Sequence, residues 1–558
     1  MVKHVLNRLK ERTSLVCIVL VLIAFALWIQ SSMQAREVLA NVGEFGLFSI
    51  MPVSFFVAFL LLVFSFFVTL KFVNKNRSLL LVCQTLLLIL FLNLTPAMVE
   101  STARFTTSYK NFIAVDYITQ NGHLNPSSQW IHNWPGFSIL LSIFSQITSI
   151  PGEFILLAYP AFFNILLFVS LFIFFRAISK DSMLMWISIW FFCFGNWVDQ
   201  TYFSMQSLAF FAIVLILFLA FKNMNHGMRT RQWIVLFSLL SFYVTISHML
   251  SSVAILCVIL VLFLSRRMRR STLFVALISL VSGWTVFNAS SYLSGNLAST
   301  LGQIFNFSLI FQKNLTDRLT YGSVGHVLVA EVRVIYSVVI VAFALLGIIL
   351  TWKNKKFGHV EKNVMLVLIG FSLLIIAFAY GGELFQRLYL FSLLPLAYFA
   401  SRALKLKFVL CLAVIFFMIA APSLNVIAHF GNEKMDYVPP SEAVGVSFLF
   451  GATTHGHVIG GALHIGDFRD LNYRNNYSFT SFDEIMSRNS SSSLWTERKI
   501  LTEDRFVCIS YEATTFYSLF SKNPSSAFIG DIQGNITQST SYNLLYSNPS
   551  FSIYYSEG

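Results

Sequence analysis

Glu100 and Asp116 stand at the two ends of one polar segment, with Arg104 and Lys110 between them. A carboxylate beside a membrane cavity acts as a general base or holds a divalent cation. The plainer reading is a pair of solvated loop charges. In the stretch GGELFQRLY, Glu383 and Arg387 are four apart and share a helix face. An arginine placed there presents a planar fork to a phosphate or pyrophosphate head group, or it holds a helix end through an i,i+4 ion pair. His248 sits in a tight turn between two apolar runs and Asp199 in another. Ionisable groups at such depths are functional candidates by default, although a lone His in a turn is more often structural.

These residues are conspicuous because the chain around them is so apolar. It is 56% hydrophobic and 11% charged, against roughly 45–50% and 25% for a soluble domain. Apolar runs between polar breaks predict thirteen membrane-crossing helices, from 13–31 to 407–424, each near the roughly 17–25 residues that a crossing needs. The segment 135–150 has only 16 residues, and counting it as a crossing would put every later basic cluster on the wrong side. It is predicted to be a re-entrant or half-length helix, which is tolerated at membrane depth only where it lines a cavity. A helical period over Ser108–Thr119 predicts an interfacial helix that Gly122 stops.

The basic residues set the topology. Of 38 Lys and Arg, 23 fall on one side of the thirteen spans, seven on the other and eight in the tail. The positive-inside rule then places the N-terminus in the cytoplasm and the tail outside. The formal charge of +13 is mostly this topology signal, and no nucleic-acid partner is expected. The first run is longer than a signal-peptide core and lacks a small-residue cleavage site, so it reads as a retained anchor. Five of the six cysteines lie in spans and only Cys508 in the tail, which excludes a disulfide framework or thiolate metal cluster there.

The fold class is therefore an α-helical polytopic membrane protein with a small exterior α/β domain. A membrane part, 1–424, carries long outer loops at 96–134 and 290–333, and residues 425–558 form the exterior domain. In the second loop Asp317, His326, Glu331 and Arg333 carry the charge without informative spacing. In the tail, strand-length runs fall at Val444–Phe450, Phe506–Tyr511 and Ser552–Tyr555, with a helix near Phe482–Met486. His455, His457, His464 and Asp467 look like a metal cluster, but Gly456, Gly460 and Gly461 favour a flexible loop. Sequons at Asn306, Asn314, Asn476, Asn489 and Asn535 are short patterns that also arise by chance. No P-loop, G-x-S-x-G elbow or H-E-x-x-H occurs, against a soluble-type hydrolase or ATPase.

Several short stretches recur as a set: Thr107-Ser108-Tyr109, Gly122-His123-Leu124 and Asn133-Trp134-Pro135-Gly136-Phe137 in the first loop region. With them go the Tyr202–Gln206 turn, Ser247-His248, the Glu383–Arg387 turn followed by LYLFSLLPLA, and the closing NLLYSNPSFSIYY. Together with the topology, this set resembles the C-type (GT-C) superfamily of polytopic glycosyltransferases, and within it archaeal-type membrane proteins. The resemblance implies transfer of a sugar from a polyprenyl-phosphate-linked donor to an acceptor at the outer membrane face. It implies Glu100 or Asp116 as base, Arg104 and Arg387 on the phosphate, His248 and Glu383 nearby, and a divalent cation, Mg or Mn. It also implies a multi-pass protein of the cell membrane, with membrane lipid and the donor as partners and the exterior domain extracellular.

Two departures qualify the resemblance. The superfamily's acidic residue in the first loop falls at Thr107, and the W-W-D-x-G signature for transfer to asparagine is absent. Two other readings stay open: a transporter or flippase of a lipid-linked substrate, for which no internal repeat is found, and a catalytically silent scaffold whose exterior domain binds a partner.

Overall fold

Backbone groups in hydrocarbon must be bonded within their own segment, and each apolar run of this chain folds as a helix. The computed structural model describes residues 2–74, 76–126, 130–198, 200–226, 230–267, 271–303, 305–376, 382–404, 408–453, 455–461, 477–482, 505–521, 525 and 527–556. The chain opens with α1 (Val2–Glu37), α2 (Val53–Phe72) and α3 (Arg77–Asn93). The first loop region supplies α4 (Thr95–Glu100), α5 (Thr106–Asn121) and α6 (Gly136–Thr148). Next come α7 (Gly152–Ile178), α8 (Ser182–Gly195), α9 (Met205–His226), α10 (Thr230–Ser247), α11 (Met249–Leu264) and α12 (Ser271–Gly283). The second loop is largely helical, with α13 (Ser290–Gln303), α14 (Phe307–Phe311) and α15 (Asp317–Thr320). The bundle closes with α16 (Val324–Lys353), α17 (His359–Ser372), α18 (Leu384–Ala403) and α19 (Phe408–Phe430).

A helix stands at each expected crossing, but the helices differ in reach. Among the described residues six are long and apolar enough to cross a membrane alone, or up to eight if two bent pairs each count as one. Others are shorter, such as the 14-residue α8, about 21 Å long at 1.5 Å per residue. From Leu184 to Gly195 its side chains are nearly all buried, so its neighbours rather than lipid solvate it. Trp190 of α8 stacks on Phe66 with centroids 3.6 Å apart, and its indole N–H donates to Thr85 Oγ1 at 3.0 Å. α16 and α18 approach so closely that Gly347 faces the backbone of Phe399, leaving no room for a Cβ.

The two special elements of the first loop region are both helices. α5 ends where Gly122 turns left-handed at φ +70° and donates to Ile118 O at 2.9 Å. α6 is a half-length helix of 13 residues. It buries Gly136, Phe137, Ser138 and Ser142 and exposes Leu140, Ile143, Phe144 and Ile147.

α19 runs to Phe430, and Val426, Ala428 and Phe430 belong to the bundle core. After α20 (Glu433–Asp436) and α21 (Pro440–Ala452) the described residues form a five-stranded sheet. Its strands are β1 (Gly456–Gly460), β2 (Tyr477–Ser481), β3 (Arg505–Ser510), β4 (Asn543–Asn548) and β5 (Phe551–Ser556), in the order β2-β1-β3-β5-β4. β1 runs parallel to β2 and β3, whereas β5 is antiparallel to β3 and β4. Alternation along β3 sends Phe506 and Cys508 to a core with Val446, Leu449 and Phe450 of α21. Val507 and Ile509 face the opposite core, with Ala513 of α22 (Tyr511–Thr515) and Ile529, Ile532 and Ile536 of α23 (Phe528–Gln538).

Two expectations for the tail are corrected. Val444–Phe450, expected as a strand, is helical within α21: Pro440 opens it, Glu442 occupies its first turn, and Gly445 seats it against Phe551. A seven-residue apolar run has no period that separates strand from helix. The Gly456–Gly460 stretch, expected as a loop, is strand β1, because backbone pairing on both edges outweighs the freedom of its glycines. The runs at Phe506 and Ser552 do form strands. Asp199, His464, Asp467, Asn476, Asn489 and the expected helix beyond Phe482 lie outside the described residues.

Candidate active site

At the end of the bundle that meets the sheet domain, α18 begins with Glu383 at its N-cap and Arg387 one turn in, ion-paired to it. Arg387 is buried, and its Nε and Nη1 have no hydrogen-bond partner. His248, in the turn between α10 and α11, lies within reach of the Arg387 charge. Its Nδ1 accepts from the Ser251 amide at 3.2 Å and lies 2.9 Å from Ser251 Oγ. Arg318 on α15 donates from Nε to Gly382 O at 3.1 Å. Burial draws its pKa down; Glu383 opposes this and the like charge of Arg387 adds to it. One carboxylate thus faces two guanidinium groups here.

The lining of the site continues onto α16, where Arg333 supplies the charge. His326, in its first turn, has Nδ1 3.2 Å from Asn432 Oδ1. Two turns on, Arg333 donates to Ala428 O at 2.7 Å and lies over the Trp197 ring at 5.5 Å. Arg318, His326 and Arg333 share one open cleft of about 800 Å³ counted out to solvent, with Asn314, Gln386 and Tyr389 also in its lining. Val334 and Val338, on the same cleft, are 37% and 59% exposed. The cleft is cationic toward the sheet-domain end and apolar along α16.

A second cluster gathers carboxyl groups around one arginine. Glu100 closes α4 and is 3% exposed. Its carboxyl is held well above the usual range, first by burial and then by Glu433 beside it, with Arg104 opposing. Arg104 donates from Nε to Glu433 at 2.5 Å, has Nη2 3.5 Å from Asp436, and lies over the rings of Phe105 and Phe430. Tyr109, Tyr437 and Tyr511 feel the Glu100 charge, and burial foremost pushes each phenol up to about 12. A smaller cavity lined by Arg104, Ser108, Tyr202 and His429 adjoins this cluster.

The six sequence candidates therefore divide. His248, Glu383 and Arg387 come together, and Glu100 and Arg104 come together. Asp116 belongs to neither set: it lies on α5, accepting from Gln120 one turn on at 2.8 Å. Among the described residues no group of three or more His, Cys, Asp or Glu could hold a metal, and Glu433 and Asp436 are bonded to Arg104. His457 is on β1 with Nδ1 2.6 Å from Ser478 Oγ.

Sequence reasoning missed Glu433, Asp436 and Asn432, which join the site from the far end of the chain. Arg318 was visible only as one of seven outer basic residues, and His326 and Arg333 only as charges without spacing.

No protein family and no curated protein matches the sequence. Solved structures do match. The oligosaccharyltransferase of Archaeoglobus fulgidus, tethered to an acceptor peptide with an NVT sequon, is similar at 11% identity and a TM-score of 0.52, over 87% of this chain and 74% of that one. The same organism's oligosaccharyltransferase AglB, with an inhibitory peptide and a dolichol-phosphate, is similar at 11% identity and a TM-score of 0.51, over 86% and 74%. ArnT from Cupriavidus metallidurans bound to undecaprenyl phosphate gives 10% identity and a TM-score of 0.48, over 86% and 98%. The chain shares the fold of the archaeal oligosaccharyltransferase structures, in keeping with its resemblance to the polytopic C-type glycosyltransferases.

Proposed function

We propose that this protein is a glycosyltransferase that moves a sugar from a polyprenyl-phosphate donor to an acceptor hydroxyl at the outer membrane face. The observation that carries the reading is the cleft of Arg318, His326 and Arg333, cationic at one end and continued along the exposed valines of α16. A lipid phosphate has that polarity: an anion joined to a hydrocarbon chain. The dolichol-phosphate held by the archaeal neighbour supports the same ligand class.

In the reaction the bond between the sugar's C1 and the phosphate oxygen breaks, and the phosphate leaves with the electron pair. A new bond forms from C1 to the acceptor oxygen, whose proton passes to a carboxylate. Arg318, Arg333 and Arg387 stabilise the negative charge growing on the leaving phosphate. Glu100 is the base in this reading, because burial and Glu433 raise its proton affinity and a base gains strength as its pKa climbs toward the working pH. The positive-inside pattern supports a position of this site, with the sheet domain, on the outer side of the cell membrane.

The test is transfer from a labelled polyprenyl-phosphate sugar by purified protein in lipid nanodiscs. Arg318→Ala and Arg333→Ala are each expected to lower kcat/KM by about 10²–10³-fold, the usual loss when one stabilising donor is removed. Unchanged kcat/KM in both variants, or no transfer by the folded wild type from any polyprenyl-phosphate sugar tried, would overturn the reading.

A further inference from the structure

Beside the cationic group lies a junction of four elements whose buried polar atoms are uncharged. The first turn of α6 abuts Ile246 and Ser247 at the end of α10. Phe137 packs on Phe203 with centroids 5.0 Å apart, just before α9 begins. Asn111 of α5 donates to Phe203 O at 2.8 Å and closes the set. The junction is continuous with the cationic group, because Ser247 is followed by His248, which Arg387 neighbours.

Polar atoms here with no hydrogen-bond partner include both amide atoms of Gln206, 2% exposed, the hydroxyl of Ser138, 1% exposed, the hydroxyl of Ser247, and Oδ1 of Asn111, 2% exposed. Leaving a buried polar group unpaired is unfavourable, so several such groups gathered on one junction mark a place that a polar ligand can fill. The chemistry of the filler follows from the groups. A phosphate accepts hydrogen bonds and does not donate them, whereas Gln206 and Ser138 offer donors and acceptors together, and Asn111 Oδ1 can only accept. A ligand rich in hydroxyls satisfies all three.

We infer that Gln206, Ser138 and Asn111 form the subsite for the donor's sugar ring, joined through Ser247 to the His248 and Arg387 group that meets its phosphate. This rests on the lipid-linked donor proposed above and assigns the specificity of that site to neutral side chains. They are specificity-determining residues and take no proton in the reaction.

The experiment measures the Kd of two lipids for full-length protein in nanodiscs: bare polyprenyl phosphate, and polyprenyl phosphate carrying mannose or glucose. Gln206→Leu and Ser138→Ala are each expected to weaken the glycosylated lipid about tenfold, the equivalent of about 1.4 kcal/mol, with bare-lipid affinity unchanged. Retained bare-lipid binding reports that the variant is folded, and Ser138→Ala, which removes a single atom, serves if Gln206→Leu does not fold. Arg387→Ala is expected to weaken both lipids. If the two Kd values keep their wild-type ratio in every folded variant, ordered water fills the junction and the inference is overturned. If wild-type protein binds neither lipid, the donor reading falls and this inference falls with it.

Discussion

A carboxyl enclosed as Glu100 is, beside a second carboxyl at Glu433, gives up its proton reluctantly. The folded state therefore binds that proton more tightly than the unfolded chain, and stability falls as pH rises from 4.5 toward the raised value. His132 runs the other way. Burial, aided by His123, lowers it to about 4, so its contribution is lost as pH falls from 6.5 through 4. Glu100→Gln is expected to remove the loss on the alkaline side and keep the loss on the acid side, read as thermal midpoints at pH 4, 6 and 8. Transfer by the wild type should rise with pH through the raised pKa, as a base requires, and Glu100→Gln should lower kcat by 10²-fold or more while Asp116→Asn changes it little. Scarcity of charge made Glu100, His248 and Arg387 legible in the sequence. The partner that sets the behaviour of Arg104 was not, because Glu433 lies 329 residues away and no local pattern links them.

Elements place these groups, and the pairing of α16 with α18 matters most, since one carries Arg333 and the other Arg387. Gly347 against the Phe399 backbone sets their spacing. Gly347→Ala is expected to cost about 1–3 kcal/mol by overpacking. It should also weaken the glycosylated lipid, because it parts the two arginines without touching either; unfolding in detergent and lipid affinity are the measurements. The helices were legible because hydrocarbon allows the backbone so few choices. In the tail that constraint is gone, and Val444–Phe450 became a helix while Gly456–Gly460 became a strand. What decided each was a partner elsewhere in the sheet, Phe551 in one case and the flanking strands β2 and β3 in the other.

Across the whole molecule, one short stretch joins bundle, first loop and sheet domain. Ala428 accepts from Arg333, Asn432 meets His326, Glu433 and Asp436 hold Arg104, and Asp436 O accepts from the Phe105 amide at 2.9 Å. Arg104→Ala leaves the fully buried Glu433 uncompensated and is expected to destabilise the protein by about 3–5 kcal/mol. Arg104→Met combined with Glu433→Leu should recover much of that loss, as chemical unfolding would show; equal loss in both would refute the pairing. α6 adds a consequence on the same scale. Its 13 residues amount to about 20 Å of helix at 1.5 Å per residue, two thirds of the roughly 30 Å hydrocarbon layer, and Leu140, Ile143, Phe144 and Ile147 form an exposed apolar stripe along it. A bilayer wetting that stripe must grow thinner beside it. A lipid head group would then sink toward the reacting residues with the leaflet itself, and the donor would reach the site without being pulled out of the membrane.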